Sequence, residues 1–331
     1  MAVDQPGDAV LAHRCDDRAR IHIHDFFALG RSGAPAAKAH DRGDEPDRRL
    51  VARAVGASSA ADAPTALLLV HFPAMSPEKL GQHFLTDASW QERIARAVRI
   101  DDGMWVEIGA GHGEMTTRLA QRAGKVFAVE LDSKLARRLR EVTAPQKNVE
   151  VVESDVMAVD LKKLTGGERF SVYGNLPYYI TSPILHRLFE HAERIAAIHI
   201  VIQFEVAVRI AAQPGRRDYG YLSVASQWFG RPEIAFQLPP GAFQPPPKVA
   251  SALVSFRMPG ARAENSVKDE NAFLDFVKEC FAQKRKTLRN NLRRRLGTRT
   301  EEIMREAGLS PDARAEQLTV SQFAALFHFA R

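Results

Sequence analysis

From Trp90 onward the chain alternates between two periods. WQERIARAV, EMTTRLAQRA and SKLARRLREV carry apolar residues three and four apart, whereas MWVEIGAG, KVFAVELD and VEVVESDVM are short apolar runs closed by Gly, Asp or Glu. Strands that alternate with helices across short turns are the pattern of βαβ units, in which each strand returns parallel to the last. The pattern continues: ERFSVYG reads as a strand, and SPILHRLFEHA as a helix behind a Ser-Pro start. AIHIVIQF and LVSFRM follow as strands, with YLSVASQWF helical between them, so the sheet is expected to run to about Met258.

Beyond Pro259 the character turns helical. NAFLDFVKECFAQKRKTLRNNLRRRL sets Phe273, Val277, Phe281, Leu288, Leu292 and Leu296 along one side at spacings near four, which predicts an apolar helical seam in a small all-α domain over 259–331. Residues 75–258 form the expected sheet domain. Residues 1–74 show no sustained period and predict either a disordered extension or a stretch upstream of a true start at Met75. Their ten acidic residues argue against a mitochondrial presequence.

Charge separates the same regions. The chain carries a net +6, yet residues 1–74 hold nine Lys/Arg against ten Asp/Glu, which leaves 37 against 30 for residues 75–331. The positive charge belongs to the body and suggests a polyanionic partner. Cys15 and Cys280 are the only cysteines, so neither a disulfide framework nor a zinc site is supported, and a reducing, cytoplasmic setting fits. ALLLVHF is too short to span a membrane, and the His22 and His24 pair has no acidic pattern around it, so no membrane and no metal are expected.

The chemistry-bearing residues fall at strand ends, the edge where open α/β sheets bind ligands. VEIGAGHGEMT puts Gly109, Gly111 and Gly113 between a strand and a helix, where the backbone can approach a ligand and the helix offers free N–H groups. Dinucleotide sites and S-adenosylmethionine sites both use such a loop. Glu130 closes the next strand, where an acid can take both ribose hydroxyls of a nucleoside, and an NAD reading survives this too. Asp155, after the third strand, begins to separate the two: a carboxylate there can accept from an adenine amino group, although Asp is also a good helix cap.

At the fourth strand's tip stand Asn175, Leu176, Pro177 and Tyr178. This tetrad resembles the Asn-x-Pro-Tyr motif of amino-group methyltransferases. An adenine N6 lone pair is delocalised into the ring and is a poor nucleophile. If the Asn175 side-chain oxygen and the Leu176 carbonyl accept its two hydrogens, the nitrogen is held near tetrahedral and its lone pair is freed; Pro177 stiffens the turn, and Tyr178 offers a face for the base.

More specifically, Lys79 to Phe329 resembles the small-subunit ribosomal RNA adenine dimethyltransferase family, the kasugamycin-sensitivity methylases. The matching stretches are GQHFLTD, VEIGAGHG, FAVELD, ESDVM, GNLPYYIT, DYGYLSV, FQPPPKVASA and QKRKTLRNNL. The resemblance implies a Rossmann-like S-adenosylmethionine-dependent methyltransferase sheet with a C-terminal helical RNA-binding domain. It implies cofactor contacts at His83, Leu85, Gly109, Gly111, Glu130, Asp155 and Asn175, and a monomer acting on 16S rRNA of the small ribosomal subunit. Two adjacent adenosines near the RNA's 3′ end would each be dimethylated, with a role in subunit biogenesis. The chain departs from the family at His83, usually Asn, at Ala250, commonly Asp, and at Phe204, often Lys. In FQPPPKV the prolines fix an extended loop, and the resemblance implies that Phe243 stacks on the target base opposite Tyr178.

The stretch from Gln283 to Arg299 holds Lys284, Arg285, Lys286, Arg289, Arg293, Arg294, Arg295 and Arg299 with no acid, which points to phosphate contacts. Arg285, Arg289 and Arg293 recur four apart and are expected on one side of a helix. The competing readings are a large-subunit rRNA dimethylase, a ribosome-assembly RNA-binding factor with little catalysis, and an NAD-dependent oxidoreductase. The last leaves Asp155 and Asn175 without a role.

Overall fold

The protein is described here by a computed structural model covering residues 82–331. The expected extension over 1–74, the Met75 start and the Lys79–Gly81 beginning of the family resemblance lie outside the described residues.

The elements run β1 (Phe84–Leu85), α1 (Ala88–Ala97), β2 (Met104–Ile108), α2 (Glu114–Ala120), β3 (Lys125–Glu130), α3 (Ser133–Thr143), β4 (Val149–Glu153), α4 (Leu161–Leu164), β5 (Phe170–Asn175), α5 (Thr181–Phe189), β6 (Ile195–Gln203), α6 (Phe204–Ala211), α7 (Tyr221–Phe229), β7 (Arg231–Leu238), β8 (Phe243–Gln244), β9 (Ser251–Arg257), α8 (Glu270–Cys280), α9 (Leu288–Leu296), α10 (Thr300–Glu306) and α11 (Val320–Phe329). The acids at the turns also start helices: the Asp87 side chain accepts from Ser89 N and Trp90 N, and that of Asp132 from Lys134 N and Leu135 N.

Seven strands form one sheet in the order β4-β3-β2-β5-β6-β9-β7, parallel from β4 to β6, with β9 antiparallel to both β6 and β7. The chain winds outward from β2 to β4 and then returns to lay β5 on the other side of β2. That reversal is a topological switch point, and it places the loops after β2 and β5 side by side. An ideal Cβ on Gly109, after β2, would lie 3.6 Å from the Asn175 carbonyl oxygen on β5.

One face of the sheet packs on α1 and α2 through Trp105, Ile94, Leu119 and Leu253. The other core runs from Val106, Val172 and Ile200 on the sheet, through Trp228 on α7, into Phe273, Leu292 and Phe327 of the C-terminal helices. The α/β class expected from the alternation is observed, and the sheet ends at Arg257.

Two expectations need correction. The region between β6 and β9 holds α6 and the strand β7 in addition to the expected helix. RPEIAFQL is an edge strand whose residues alternate between exposed and half-buried up to Leu238, with a proline that only an edge tolerates. Its weak apolar signal follows from that position.

The apolar run from Phe273 to Leu296 is two helices. Asn291 Nδ2 donates to the Cys280 carbonyl at 2.6 Å and closes the end of α8, and Thr287 caps α9 by accepting from Asn290 N. Phe273, Val277, Leu288 and Leu292 are buried as expected, while Phe281 and Leu296 are half-buried at the helix ends. Arg285 therefore sits in the turn between helices and does not share a helix face with Arg289 and Arg293.

Candidate functional site

The switch point opens a narrow cleft lined by Gln82, His83, Phe84, Gly109, Glu130, Asn175, Leu176, Pro177 and Tyr178. Its floor is the glycine loop. Gly109 and Gly111 take φ of +70° and +58°, the left-handed region that favours glycine. A Cβ on Gly111 would lie 3.2 Å from the Phe84 ring, so a side chain there would crowd that ring as well as strain the backbone.

Glu130 ends β3 and is buried. Its Oε2 accepts from Gly111 N at 2.8 Å and its Oε1 from Asp132 N at 3.0 Å, so the carboxylate is fixed by the loop it faces. Each oxygen keeps a further lone pair for a hydroxyl donor. Leu131, after β3, and Met157, after β4, are large apolar side chains left 54% and 40% exposed at this same edge. Such side chains suit a planar ring.

The turn after β5 presents acceptors. Asn175 Nδ2 donates to the His83 carbonyl at 2.8 Å, which leaves Asn175 Oδ1 as the free end of that amide. Leu176 N donates to the Val201 carbonyl at 3.1 Å, while the Leu176 carbonyl accepts no hydrogen bond among the described residues. Two oxygens on successive residues are thus unpaired. Tyr178 is pinned by a 2.7 Å hydrogen bond between its hydroxyl and Ser251 Oγ, and burial pushes its phenol upward, opposed by that bond. Its ring lies 5.4 Å from that of His83, whose Nδ1 donates to the Pro245 carbonyl at 2.7 Å.

Other expected residues lie elsewhere. Leu85 is buried against α1, and its carbonyl accepts from Gln91 Nε2 at 2.7 Å; it does not line the cleft. Asp155 is exposed outside the cleft lining and starts no helix; its Oδ1 accepts from Met157 N at 2.9 Å within a turn, while no hydrogen bond engages Oδ2. Phe243 is the clear correction. It is 2% exposed, packed with Leu85, Ile94 and Ala242 because β8 pairs with β1, so neither face of its ring is open to a base.

The basic segment also differs from its expectation. Counter-charges absent from the sequence stretch arrive from neighbouring helices: Arg289 pairs with Glu301 at 2.8 Å and Arg295 with Glu279 at 3.0 Å. Lys284, Arg285, Lys286, Arg293, Arg294 and Arg299 are exposed, with no ion-pair partner among the described residues. No cluster of potential metal ligands occurs among the described residues, and no helix there is long and apolar enough to cross a membrane.

Sequence reasoning missed Ser251, Gln91, Leu131 and Met157. Leu131 and Met157 carried a signal, an apolar residue just past the strand-end acids Glu130 and Asp155; Ser251 and Gln91 act through partners distant in sequence and carried none.

The family model described as ribosomal RNA adenine dimethylase matches residues 76–331. The chain is 45% identical over 253 residues to the ribosomal RNA small subunit methyltransferase A of Acidobacterium capsulatum, covering 75% of this chain and 89% of that protein. It is 42% identical over 254 residues to the protein of the same name from Xanthomonas campestris pv. campestris, covering 76% and 95%. Among solved structures, the 23S rRNA methyltransferase ErmE is similar with TM-score 0.59 and 28% identity, covering 74% of this chain and 98% of that one. A dimethyladenosine transferase from Plasmodium falciparum shares the fold at TM-score 0.63 and 23% identity, covering 74% and 96%. With its glycine loop, its strand-end acid and its Asn-Leu-Pro-Tyr turn assembled at one sheet edge, the chain belongs to the ribosomal RNA adenine dimethylase family.

Proposed function

We propose that this chain transfers methyl groups from S-adenosylmethionine to N6 of two adjacent adenosines near the 3′ end of 16S rRNA in the small ribosomal subunit, giving N6,N6-dimethyladenosine, and that it works as a cytoplasmic monomer. The observation that carries this is the pair of unpaired acceptors, Asn175 Oδ1 and the Leu176 carbonyl, on a turn fixed by backbone bonds to His83 and Val201. Small-subunit specificity is supported by the 45% and 42% identity to proteins named for that subunit.

The residues fit the cofactor. Glu130 offers lone pairs to ribose hydroxyls, Leu131 and Met157 an apolar bed for the adenine, and the free oxygen of Asp155 an acceptor for its amino group. The cofactor, when bound, supplies a sulfonium methyl, an electrophile activated enough that the protein needs no strong general base.

The protein's own task is to shape the nucleophile. Asn175 Oδ1 and the Leu176 carbonyl accept the two N6 hydrogens and draw the nitrogen out of conjugation, so its lone pair points across the cleft. Tyr178, held by Ser251, gives the flipped base a face to stack on. As the N6–CH3 bond forms and the S–CH3 bond breaks, N6 becomes cationic and releases one proton to solvent; a single hydrogen then remains, and either acceptor can hold it for the second transfer. The exposed cations around α9 contact phosphates.

Parallel incubation of unmethylated small and large ribosomal subunits with the protein and a methyl-labelled cofactor tests this reading. Label should enter 16S rRNA with the wild type and at a far lower rate with Asn175→Ala; label that enters only large-subunit RNA would overturn the subunit assignment.

A further inference from the structure

The loop between α6 and α7, residues 212–220, is tied at three points to the connections between the C-terminal helices. Gly215, at φ +82°, donates its N–H to the Glu316 carbonyl at 2.7 Å. The buried Tyr219 donates its hydroxyl to the Leu318 carbonyl at 2.8 Å, and its ring meets the edge of Phe281 at 6.2 Å, where α8 ends and the basic turn begins. Lys284 Nζ donates to the Arg217 carbonyl.

These ties set Arg216 and Arg217 beside the basic turn. Both are exposed, and neither has an ion-pair partner among the described residues. Nearby arginines behave differently: Arg209 pairs with Glu205, Arg289 with Glu301 and Arg295 with Glu279. Two acids, Asp218 and Glu316, stand in the loop and at its anchor, against five cations, Arg216, Arg217, Lys284, Arg285 and Lys286. Lys284 spends one of its three donors on the loop and keeps two.

We propose that Arg216 and Arg217 form one phosphate-binding surface with Lys284, Arg285 and Lys286, so that a loop of the sheet body and a turn of the helical region hold the same stretch of RNA backbone. This rests on the rRNA reading above and adds to it a contact outside the C-terminal helices. A loop anchored at three points loses little freedom on binding, so its two guanidinium groups meet phosphates without first being ordered. Arginine suits the task because its planar fork binds phosphate oxygens in pairs.

The test is the salt dependence of binding to unmethylated small subunits, comparing wild type with Arg216→Gln/Arg217→Gln and with the control Arg137→Gln/Arg138→Gln, exposed on α3 beside the opposite edge strand β4. Each phosphate contact contributes a slope of roughly −0.7 in log affinity against log salt for single-stranded RNA. Loss of two contacts should flatten the slope by about 1.4 and weaken binding about 25-fold at 0.1 M salt, with cofactor affinity and melting temperature unchanged. The control pair should keep the wild-type slope. In a double-mutant cycle, Lys284→Gln should couple to the loop variant, because Lys284 braces Arg217.

If the loop variant keeps the wild-type slope and affinity, the proposal is overturned while the rRNA reading stands. Failure of the wild type itself to bind small subunits overturns both.

Discussion

The Asn175 side chain and the His83 main chain, 92 residues apart, meet in a 2.8 Å hydrogen bond from Nδ2 to the carbonyl oxygen. That bond spends the donor end of the amide on the protein and leaves only an oxygen facing the cleft. An amide free to turn would offer the substrate amine a donor half the time. Held this way, it offers an acceptor, which an amine with two hydrogens requires.

Removing that oxygen should therefore cost chemistry more than cofactor binding. Asn175→Ala should lower single-turnover methyl transfer by about two to three orders of magnitude, in the range found for removing one preorganised polar group at a reacting centre. Cofactor affinity by calorimetry should fall only a few-fold. A parallel collapse of both would make Asn175 a cofactor residue alone.

Tyr178 and Ser251 share a 2.7 Å hydrogen bond in a half-buried setting. Tyr178→Phe should cost about 1 kcal/mol of stability and keep the ring that stacks on the base, so transfer should fall modestly. Tyr178→Phe with Ser251→Ala should cost less than the sum of the single changes, as expected for partners in one bond. Urea unfolding of the four proteins measures this; strict additivity would mean the bond contributes nothing.

Row by row, the sheet carries an unusual polar line: Glu107 on β2 faces Tyr173 on β5, which faces His199 on β6, which faces Ser255 on β9. Neither Glu107 Oε2 nor the Tyr173 hydroxyl has a hydrogen-bond partner among the described residues. Burial pushes Glu107 from 4.5 up to about 8, opposed by the Thr116 hydroxyl and helped by the charges of Glu114 and Glu130. Burial takes His199 from 6.5 down to about 4, opposed by Asp101.

The two groups act with opposite sign. Between pH 4.5 and 8 the folded state keeps the Glu107 proton that the unfolded chain has released, so stability falls as pH rises. Between pH 6.5 and 4 the unfolded chain takes a proton that folded His199 refuses, so stability falls as pH drops. These slopes oppose below pH 6.5, and only that of Glu107 remains from 6.5 to 8. Stability should drop by about 2 kcal/mol over that window, and Glu107→Gln should abolish the drop. Urea titrations at successive pH values check it; an equal drop in the variant would contradict the assignment.

Arg289 and Arg293 should contribute unequally. Arg289 already pairs with Glu301 at 2.8 Å, whereas Arg293 has no such partner among the described residues. Arg293→Gln should weaken small-subunit binding about fivefold at 0.1 M salt and Arg289→Gln less, with cofactor affinity unchanged. Circular dichroism verifies the fold; loss of helix in either variant would mean that this face of α9 is structural.

The parallel half of the sheet was legible because β2, β3, β5 and β6 are largely buried apolar runs that close at Gly109, Glu130, Asn175 and Gln203, the signal a covered parallel strand must carry, while the half-buried edge strand β4 still shows its valines. The edge strand β7 was not, since one flank of it faces solvent. The break between α8 and α9 was hidden because Phe281 and Leu288 stand seven apart, two helical turns, and only the Asn291 amide and the Thr287 cap reveal the interruption. At the site, residue identities and order were readable at Gly109, Glu130 and Asn175. What a motif cannot carry is exposure: Phe243 sits in a matching loop yet is buried by the pairing of β8 with β1.

The central claim is adenine dimethylation in 16S rRNA, and nucleoside mass spectrometry tests it most directly. Unmethylated small subunits incubated with the purified protein and S-adenosylmethionine should yield N6,N6-dimethyladenosine at two adjacent positions near the 3′ end, and far more slowly with Asn175→Ala. A preparation that binds the cofactor and the subunits but forms no methylated adenosine would contradict the account.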